Sequence, residues 1–348
     1  AKAPPSGEVA AFLEQYGIHQ RLGRPRERVL TWLARVSQGL GGFTDPSALA
    51  DAALRQDLRG TIFKLEGILK LYRRGYERAL EAPYQAAKSL EDALGAWGAG
   101  QHLVELARQA AAPAPVLVWS ETQAELARAE VVEQLSKQWL PLPDGTVPIL
   151  RTISDTLVAL DFEGYAKDRR SLIRSIRRWL GKVADTSLDM YVLQGNHGLH
   201  ELRRQLRWLP IFAVSLDGLV ITSDEHNPVK EYRALTSSAV AQSPYARLPE
   251  PTREDSPIAI SRSLFLAVTD LIAQLGEIKD LAEDVQALEH ALLGGGVAKT
   301  SRDARQQALS LLGRTREQEL ESQLRAERLY RGLRRNRLFK HLRCEFKD

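Results

Sequence analysis

The amino-acid sequence predicts an all-α protein built from two related antiparallel helical bundles. Apolar residues recur every three or four positions through most of the chain, as the buried face of an amphipathic helix requires. Strand-like alternation is nearly absent, because the short β-prone runs at Val116–Trp119 and Leu219–Thr222 are too few for a sheet-based domain. A weak internal repeat indicates that the two bundles are related.

The individual helices follow from this periodicity in chain order. Between Leu54 and Leu80 the apolar residues are spaced for one long helix, and Pro83 is placed to open the next, whose apolar side runs from Ala87 to Leu106. We expect further helices at about 24–38, 121–138, 163–182, 196–216, 258–293 and 301–345.

Breaks rich in proline or glycine separate these helices. Ala112–Pro115 and Pro141–Pro148 bracket one helix, and Gly294–Gly296 precedes the last one. The longest break, at about 217–257, contains five prolines. A connection of that length within a compact bundle is typical of an insertion.

The internal repeat divides the chain near residue 190. Gln56–Leu65 parallels His200–Leu209, and Leu90–Gly95 parallels Leu271–Gly276. We therefore predict a first bundle in residues 1–190 and a second in residues 191–348, the second carrying the insertion at 217–257.

The composition excludes several classes of protein. With 348 residues, 44% of them apolar and 26% charged, the chain has the balance of a soluble globular protein, and no apolar stretch is long enough to span a membrane. The first residues, Ala1–Pro5, have no apolar signal core, so we expect a cytoplasmic protein. Cys344 is the only cysteine, which excludes a disulfide framework and a thiolate zinc site.

Arginine dominates the basic residues. Lysine and arginine total 48 against 44 acidic residues, and 12 are lysines and 36 arginines. The planar guanidinium matches phosphate and carboxylate oxygens, whereas lysine acts as a point charge. Because codon usage in a GC-rich genome would also enrich arginine, the positions of the arginines have to decide between the two explanations.

Basic residues line one face of four predicted helices. At 163–182 and 196–216 they recur at steps of three and four residues, which places them side by side, and only Asp168 opposes them in the first. Similar runs occur at 57–80 and from Arg331 onward. The candidate anion-binding residues on these faces are Arg59, Lys64, Lys70, Arg74, Lys167, Arg170, Arg174, Arg177, His200, Arg203, Arg204, Arg207, Arg334 and Arg335.

Like charges at this spacing repel one another and weaken a helix. Two interpretations stay open: the faces are solvated and balanced by acids of neighbouring helices, or several faces share a polyanionic ligand whose binding weakens steeply with salt. Nucleic acid is one such polyanion. However, the tryptophans lie on apolar periodicities that predict a core, which leaves few rings for base stacking.

The run His200–Leu209 resembles the helix-opening motif of the CHAD family, the histidine α-helical domains, and Leu271–Asp280 is similar to that family's second recurring helix. The counterparts in the first half are Gln56–Leu65 and Ser89–Leu106. The resemblance covers about residues 20–345. It implies two helical bundles with internal pseudo-symmetry whose basic residues bind inorganic polyphosphate.

The resemblance also implies which residues contact phosphate. The family's histidine position falls on Gln56 in the first half and His200 in the second. Its arginine position falls on Arg59 and Arg203, and its later basic position on Lys64 and Arg207. Gln56 departs from the histidine, and Phe63 and Trp208 stand where the family often has a basic residue. We therefore expect fewer phosphate contacts from the first half.

The sequence predicts a binding module and not an enzyme. It lacks the E-x-E-x-K strand of triphosphatases fused to CHAD domains, and Gly294–Thr300 has alanine where a phosphate loop needs glycine before Lys299. We expect no cofactor, no metal and no membrane partner. The expected partner is inorganic polyphosphate, including polyphosphate granules. Nucleic acid, another acidic polymer or an acidic protein are the alternatives.

Overall fold

The structure is a computed structural model that describes residues 6–20, 22–185, 196–224, 232, 239–251 and 256–347. The regular secondary structure of this part of the chain is helical apart from one two-stranded sheet, which confirms the all-α prediction. The elements are α1 (Gly7–Gln15), α2 (Arg24–Leu40), α3 (Pro46–Arg55), α4 (Leu58–Gln109), α5 (Ala114–Gln134), α6 (Pro148–Ala159), α7 (Tyr165–Asp185), α8 (Asn196–Ser215), β1 (Val220–Ser223), β2 (Ile258–Ser261), α9 (Arg262–Gly294), α10 (Ser301–Leu311), α11 (Arg316–Asn336) and α12 (Leu338–Glu345).

Helix α4 consists of two arms joined at Tyr76, whose backbone angles (φ −135°, ψ 36°) are not helical. Arg59 in the first arm donates a hydrogen bond from Nε to Oε1 of Glu91 in the second, at 2.8 Å. A straight helix would separate residues 32 positions apart by about 48 Å. The arms therefore fold back on each other. The break predicted at Pro83 occurs earlier, and Pro83 lies inside the second arm.

Local signals explain two further differences from the predicted elements. The single helix expected at 301–345 is three helices, because Gly313 (φ 61°) ends α10 and the side chains of Thr315 and Gln318 form a capping box that begins α11. The β-prone run Val116–Trp119 lies in α5 and is helical, whereas Leu219–Thr222 overlaps β1. Helices α1, α3 and α6 were not expected.

The insertion begins and ends in the sheet. Strands β1 and β2 are parallel, with Val220 opposite Ile258. Between them, two short 3₁₀ turns, Ala239–Gln242 and Pro244–Ala246, rest on α9. The predicted boundary near residue 190 falls in 186–195, outside the described residues.

The main hydrophobic core takes side chains from both predicted halves, so helices from both segments pack around it. Leu65 and Trp139 from the first half are as fully buried in it as Phe212 and Phe265 from the second. A smaller core joins the ends of α4 and α9 to the starts of α5 and α10. This packing brings α4, α7, α8 and α9 together, and three of these helices, α4, α7 and α8, carry most of the predicted basic faces.

A buried ion pair holds α7 in this arrangement. Nη1 of Arg28, on α2, lies 2.6 Å from Oδ2 of Asp168, on α7, and the two side chains are 0% and 4% exposed. The Tyr72 hydroxyl lies between them, accepting from Arg28 at 3.2 Å and donating to Asp168 at 3.4 Å. Asp168 therefore points inward, although the sequence suggested that it opposes the basic face of α7.

Candidate functional site

Two of the predicted basic faces meet where the first arm of α4 packs against α8. Gly67 permits the approach, since a Cβ there would lie 2.7 Å from Cγ2 of Ile211. One turn away, the Ser215 hydroxyl donates to the carbonyl oxygen of Lys64 at 2.9 Å. The basic residues predicted at 57–80 and at 196–216 are therefore carried by helices in direct contact.

A layered stack of rings and cations fills this contact. The rings of Phe63 and Trp208 stack with their centres 5.1 Å apart and their planes 13° apart. The Arg207 guanidinium lies over Phe63 at 5.0 Å, and Nζ of Lys70 lies over Trp208 at 3.7 Å. Aromatic faces attract cations without cancelling their charge. The stack therefore fixes the positions of both cations and leaves their charge available.

Other cations gather around the stack. Burial lowers the pKa of Arg207, and the nearby guanidinium groups of Arg203 and Arg59 lower it further. Burial lowers the pKa of Lys70 to about 8; Glu66 opposes this shift, while neighbouring cations including Arg204 add to it. Positive charges are thus crowded at both ends of the stack, around Arg207 and around Lys70.

The crowding continues to α7. Burial, followed by Arg178 and Arg73, lowers the pKa of Arg74. The arginines linked in this way form one surface together with Lys70, which we call the basic track; it consists of Arg59, Lys70, Arg73, Arg74, Arg178, Arg203, Arg204 and Arg207.

Five cations of the track are not neutralised within the described part of the chain, where no carboxylate lies within 4.0 Å of them. They are Lys70, Arg74, Arg178, Arg203 and Arg207. The other three do have partners: Arg59 pairs with Glu91 at 2.8 Å, Arg73 with Glu81 at 2.7 Å, and Arg204 with Glu201 at 3.0 Å.

Two glycines leave room for Arg59 and Arg203, the arginines at equivalent positions of the internal repeat. A Cβ on Gly95 would lie 2.6 Å from the guanidinium of Arg59, and one on Gly276 would lie 3.2 Å from Nε of Arg203. Arg203 also donates to the carbonyl oxygen of Ile272 at 3.3 Å. In both cases the missing side chain leaves room for the guanidinium to lie against the opposing helix.

The insertion reaches the track as well. Tyr245, on the second 3₁₀ turn, is 78% exposed and close enough to Arg207 to influence its pKa. Nothing in the sequence pattern pointed to this residue, because its position depends on how the insertion folds over α9.

Several predicted residues are not among those linked to the track by these contacts. Nζ of Lys64 lies over the Trp32 ring at 5.9 Å, on another side of α4. Lys167 pairs with Glu163 at 2.9 Å, and Arg174 donates to the Ser171 hydroxyl at 3.3 Å. Two further residues on α7 are exposed or half-buried: Arg170 and Arg177. The side chains of two others lie outside the described residues: Arg334 and Arg335.

His200 lies beside a different feature, a groove of about 760 Å³ between α8, α9 and α10. Its Nδ1 is 2.9 Å from Oε1 of Glu283, which also pairs with Lys279 at 2.6 Å. Arg305 in the same groove pairs with Glu289 at 3.2 Å. Because its cations and carboxylates pair with one another, the groove lacks the excess positive charge of the track.

Two buried carboxylates lie beneath the track. Glu66 and Glu91 are 2% and 5% exposed and come from opposite arms of α4. Burial, followed by the charge of Glu91, raises the pKa of Glu66 to about 7, and burial raises the pKa of Glu91 against the opposing effect of Arg59. The sequence could not reveal these carboxylates, since their surroundings depend on the fold-back at Tyr76.

This placement makes the charge of the track depend on pH. Between about pH 8.5 and 6, Lys70 gains a proton and Glu66 loses its negative charge, so each change makes the track more positive. We expect the dissociation constant for long-chain polyphosphate, whose internal phosphates do not titrate here, to fall by about threefold to tenfold per group on acidification. Isothermal titration at several pH values measures it. The E66Q variant should lose the part of the change centred near pH 7, and an unaltered profile would contradict the role of Glu66.

No family model, curated protein or solved structure matches this chain. The resemblance to the CHAD family therefore stays a prediction that rests on the motifs. Among the described residues, no helix has the length and apolar character needed to cross a membrane. In the same residues, no group of three or more histidine, cysteine, aspartate or glutamate side chains is arranged to hold a metal ion.

Proposed function

We propose that this chain is a non-catalytic module that binds inorganic polyphosphate along the basic track. The observation that supports it is the gathering of five cations without a carboxylate within 4.0 Å in the described part of the chain: Lys70, Arg74, Arg178, Arg203 and Arg207. Holding like charges together is unfavourable in the free protein. An anion that joins them relieves the repulsion, so the folded state and the ligand stabilise each other.

The chemistry of the track suits a chain of phosphates. Each internal phosphate carries about one negative charge and offers oxygens to planar guanidinium groups, which bind them with two hydrogen bonds at once. The track extends from the first arm of α4 across α8 to α7, so a long ligand can contact several cations together. Such a site requires no base or sugar for recognition.

The aromatic residues favour polyphosphate over single-stranded nucleic acid. Proteins that bind single strands offer open ring faces to successive bases. Phe63 and Trp208 have their faces covered by each other, by Arg207 and by Lys70. A base would have to displace these cations before it could stack.

The matching contacts of Arg59 with Gly95 and of Arg203 with Gly276 support a common origin of the two bundles. We infer that the pseudo-symmetry predicted from the repeat relates these two arginines. The setting that we propose for the module is the cytoplasm, bound to soluble polyphosphate or to polyphosphate granules.

The dependence of affinity on the length of the polyphosphate tests this function. We expect long-chain polyphosphate to bind at least about a hundredfold more tightly than pyrophosphate, because only the long chain reaches several cations at once. Titration of the full chain with both ligands measures this. Equal affinity would contradict an extended site. Excess duplex or single-stranded nucleic acid should fail to displace the polyphosphate, and displacement would favour the nucleic-acid alternative.

A further inference from the structure

Lys70 is partly withdrawn from water and has cations as neighbours, and these two features disfavour its charged form against the attraction of the Trp208 ring. Its Nζ is 3.7 Å from the centre of the Trp208 ring, and no carboxylate of the described chain lies within 4.0 Å of it. The cations that act on it are Arg204 from α8, and Arg73 and Lys88 from α4.

The opposing charge near Lys70 is weak. It comes from Glu66, which is itself buried and faces Glu91, Lys88 and the Tyr84 hydroxyl. Because the pKa of Glu66 is about 7, this carboxyl is partly neutral near neutral pH. The pKa of Lys70 is about 8, so about a tenth of its amine is unprotonated there.

The Lys70 amine is also reachable. The side chain is half-buried, and Nζ makes no hydrogen bond to the described residues yet is not among the polar atoms sealed from solvent. An unprotonated amine has a free lone pair and is a nucleophile. The surrounding cations draw small anions toward it.

We propose that Lys70 is a modification site that is acylated by small acyl phosphates, which the basic track attracts as anions. The unprotonated Nζ attacks the carbonyl carbon, and an N–C bond forms. The bond from that carbon to the phosphate oxygen breaks, phosphate leaves with the electron pair, and the proton released from the amine passes to phosphate or water. The amide product is neutral, so the track loses one positive charge.

The other lysines provide matched controls. Lys137 is fully exposed, and its hydrogen bond to Glu133 raises its pKa. Lys167 is exposed and pairs with Glu163 at 2.9 Å. Both are more accessible than Lys70, and each pairs with a glutamate, so they separate access from nucleophilicity.

The test is incubation of the full chain with acetyl phosphate near neutral pH, followed by quantitative peptide mass spectrometry. We expect Lys70 to be acetylated at least about tenfold faster than Lys137 and Lys167, because the unprotonated fraction rises about tenfold for each unit by which a pKa is lowered toward the working pH. Equal or faster acetylation of Lys137 or Lys167 would overturn the proposal.

A variant tests the cause. R204Q removes a neighbouring cation from an exposed position, and we expect it to slow Lys70 acetylation and to move the midpoint of its pH profile upward. An unchanged rate and midpoint would overturn the proposed activation. The proposal does not rest on polyphosphate binding. Preferential acetylation that long-chain polyphosphate fails to slow would contradict the proposed function and leave this inference standing.

Discussion

Replacing Arg203 and Arg207 together with glutamine is expected to lower the affinity for long-chain polyphosphate by about 30- to 100-fold. Both guanidinium groups lack a carboxylate partner in the described chain, and Arg207 is held by the Phe63 ring. Hydrogen bonds to charged groups contribute about 1.5–3 kcal/mol each, and a flexible chain recovers part of that loss by shifting along the remaining cations. Titration of the double variant against wild type measures the change.

The control for this variant is K167Q/R174Q, which removes the same number of positive charges from α7. Lys167 pairs with Glu163, and the same carboxylate lies near Arg174. We therefore expect the control to lose less than about threefold in affinity, the effect of net charge alone. An equal loss in both double variants would mean that binding responds to total charge and not to the track.

The D168N variant is expected to lose about 3–5 kcal/mol of unfolding free energy, because it leaves the Arg28 guanidinium buried opposite a neutral amide. The side chains of this pair are 0% and 4% exposed, and burial raises the pKa of the neighbouring Tyr72 hydroxyl, which stays protonated and cannot replace the lost charge. Urea unfolding followed by circular dichroism measures the loss.

An exposed ion pair serves as the comparison. Arg35 and Glu8 lie 3.1 Å apart with side chains 36% and 43% exposed. We expect E8Q to cost less than about 1 kcal/mol. If D168N were no more harmful than E8Q, the buried pair would not anchor α7, and the position of Arg178 in the track would need another explanation.

The sequence predicts the helical class and the placement of basic residues on shared helix faces, because both depend on spacing along single helices. The sequence is a poorer guide to which residues of a basic helix lie on the basic face and which turn away from it. Lys64 is one position from Phe63, yet a rotation of about 100° per residue turns it toward Trp32 and away from the track. Asp168, which the pattern places among arginines, turns inward to Arg28.

Other features depend on contacts between distant segments and have no local signal. The fold-back at Tyr76 brings Glu91 to Arg59, and the single glycine beside the bend, Gly75, does not by itself predict a reversal of the chain. The pairing of His200 with Glu283 requires the packing of α8 on α9. The rings of Phe63 and Trp208, which the sequence presents as departures from a basic pattern, hold two track cations in place.

The salt dependence of polyphosphate binding tests the central claim most directly. The binding constant is measured between about 0.05 and 0.5 M salt for wild type and for the variant K70Q/R203Q/R207Q. The slope of its logarithm against the logarithm of the salt concentration counts the cations that contact the polyanion. We predict a steep slope for wild type and a slope smaller by about one per removed cation, or about three in all, for the variant. Equal slopes for the two proteins would contradict the claim that these cations form the binding surface.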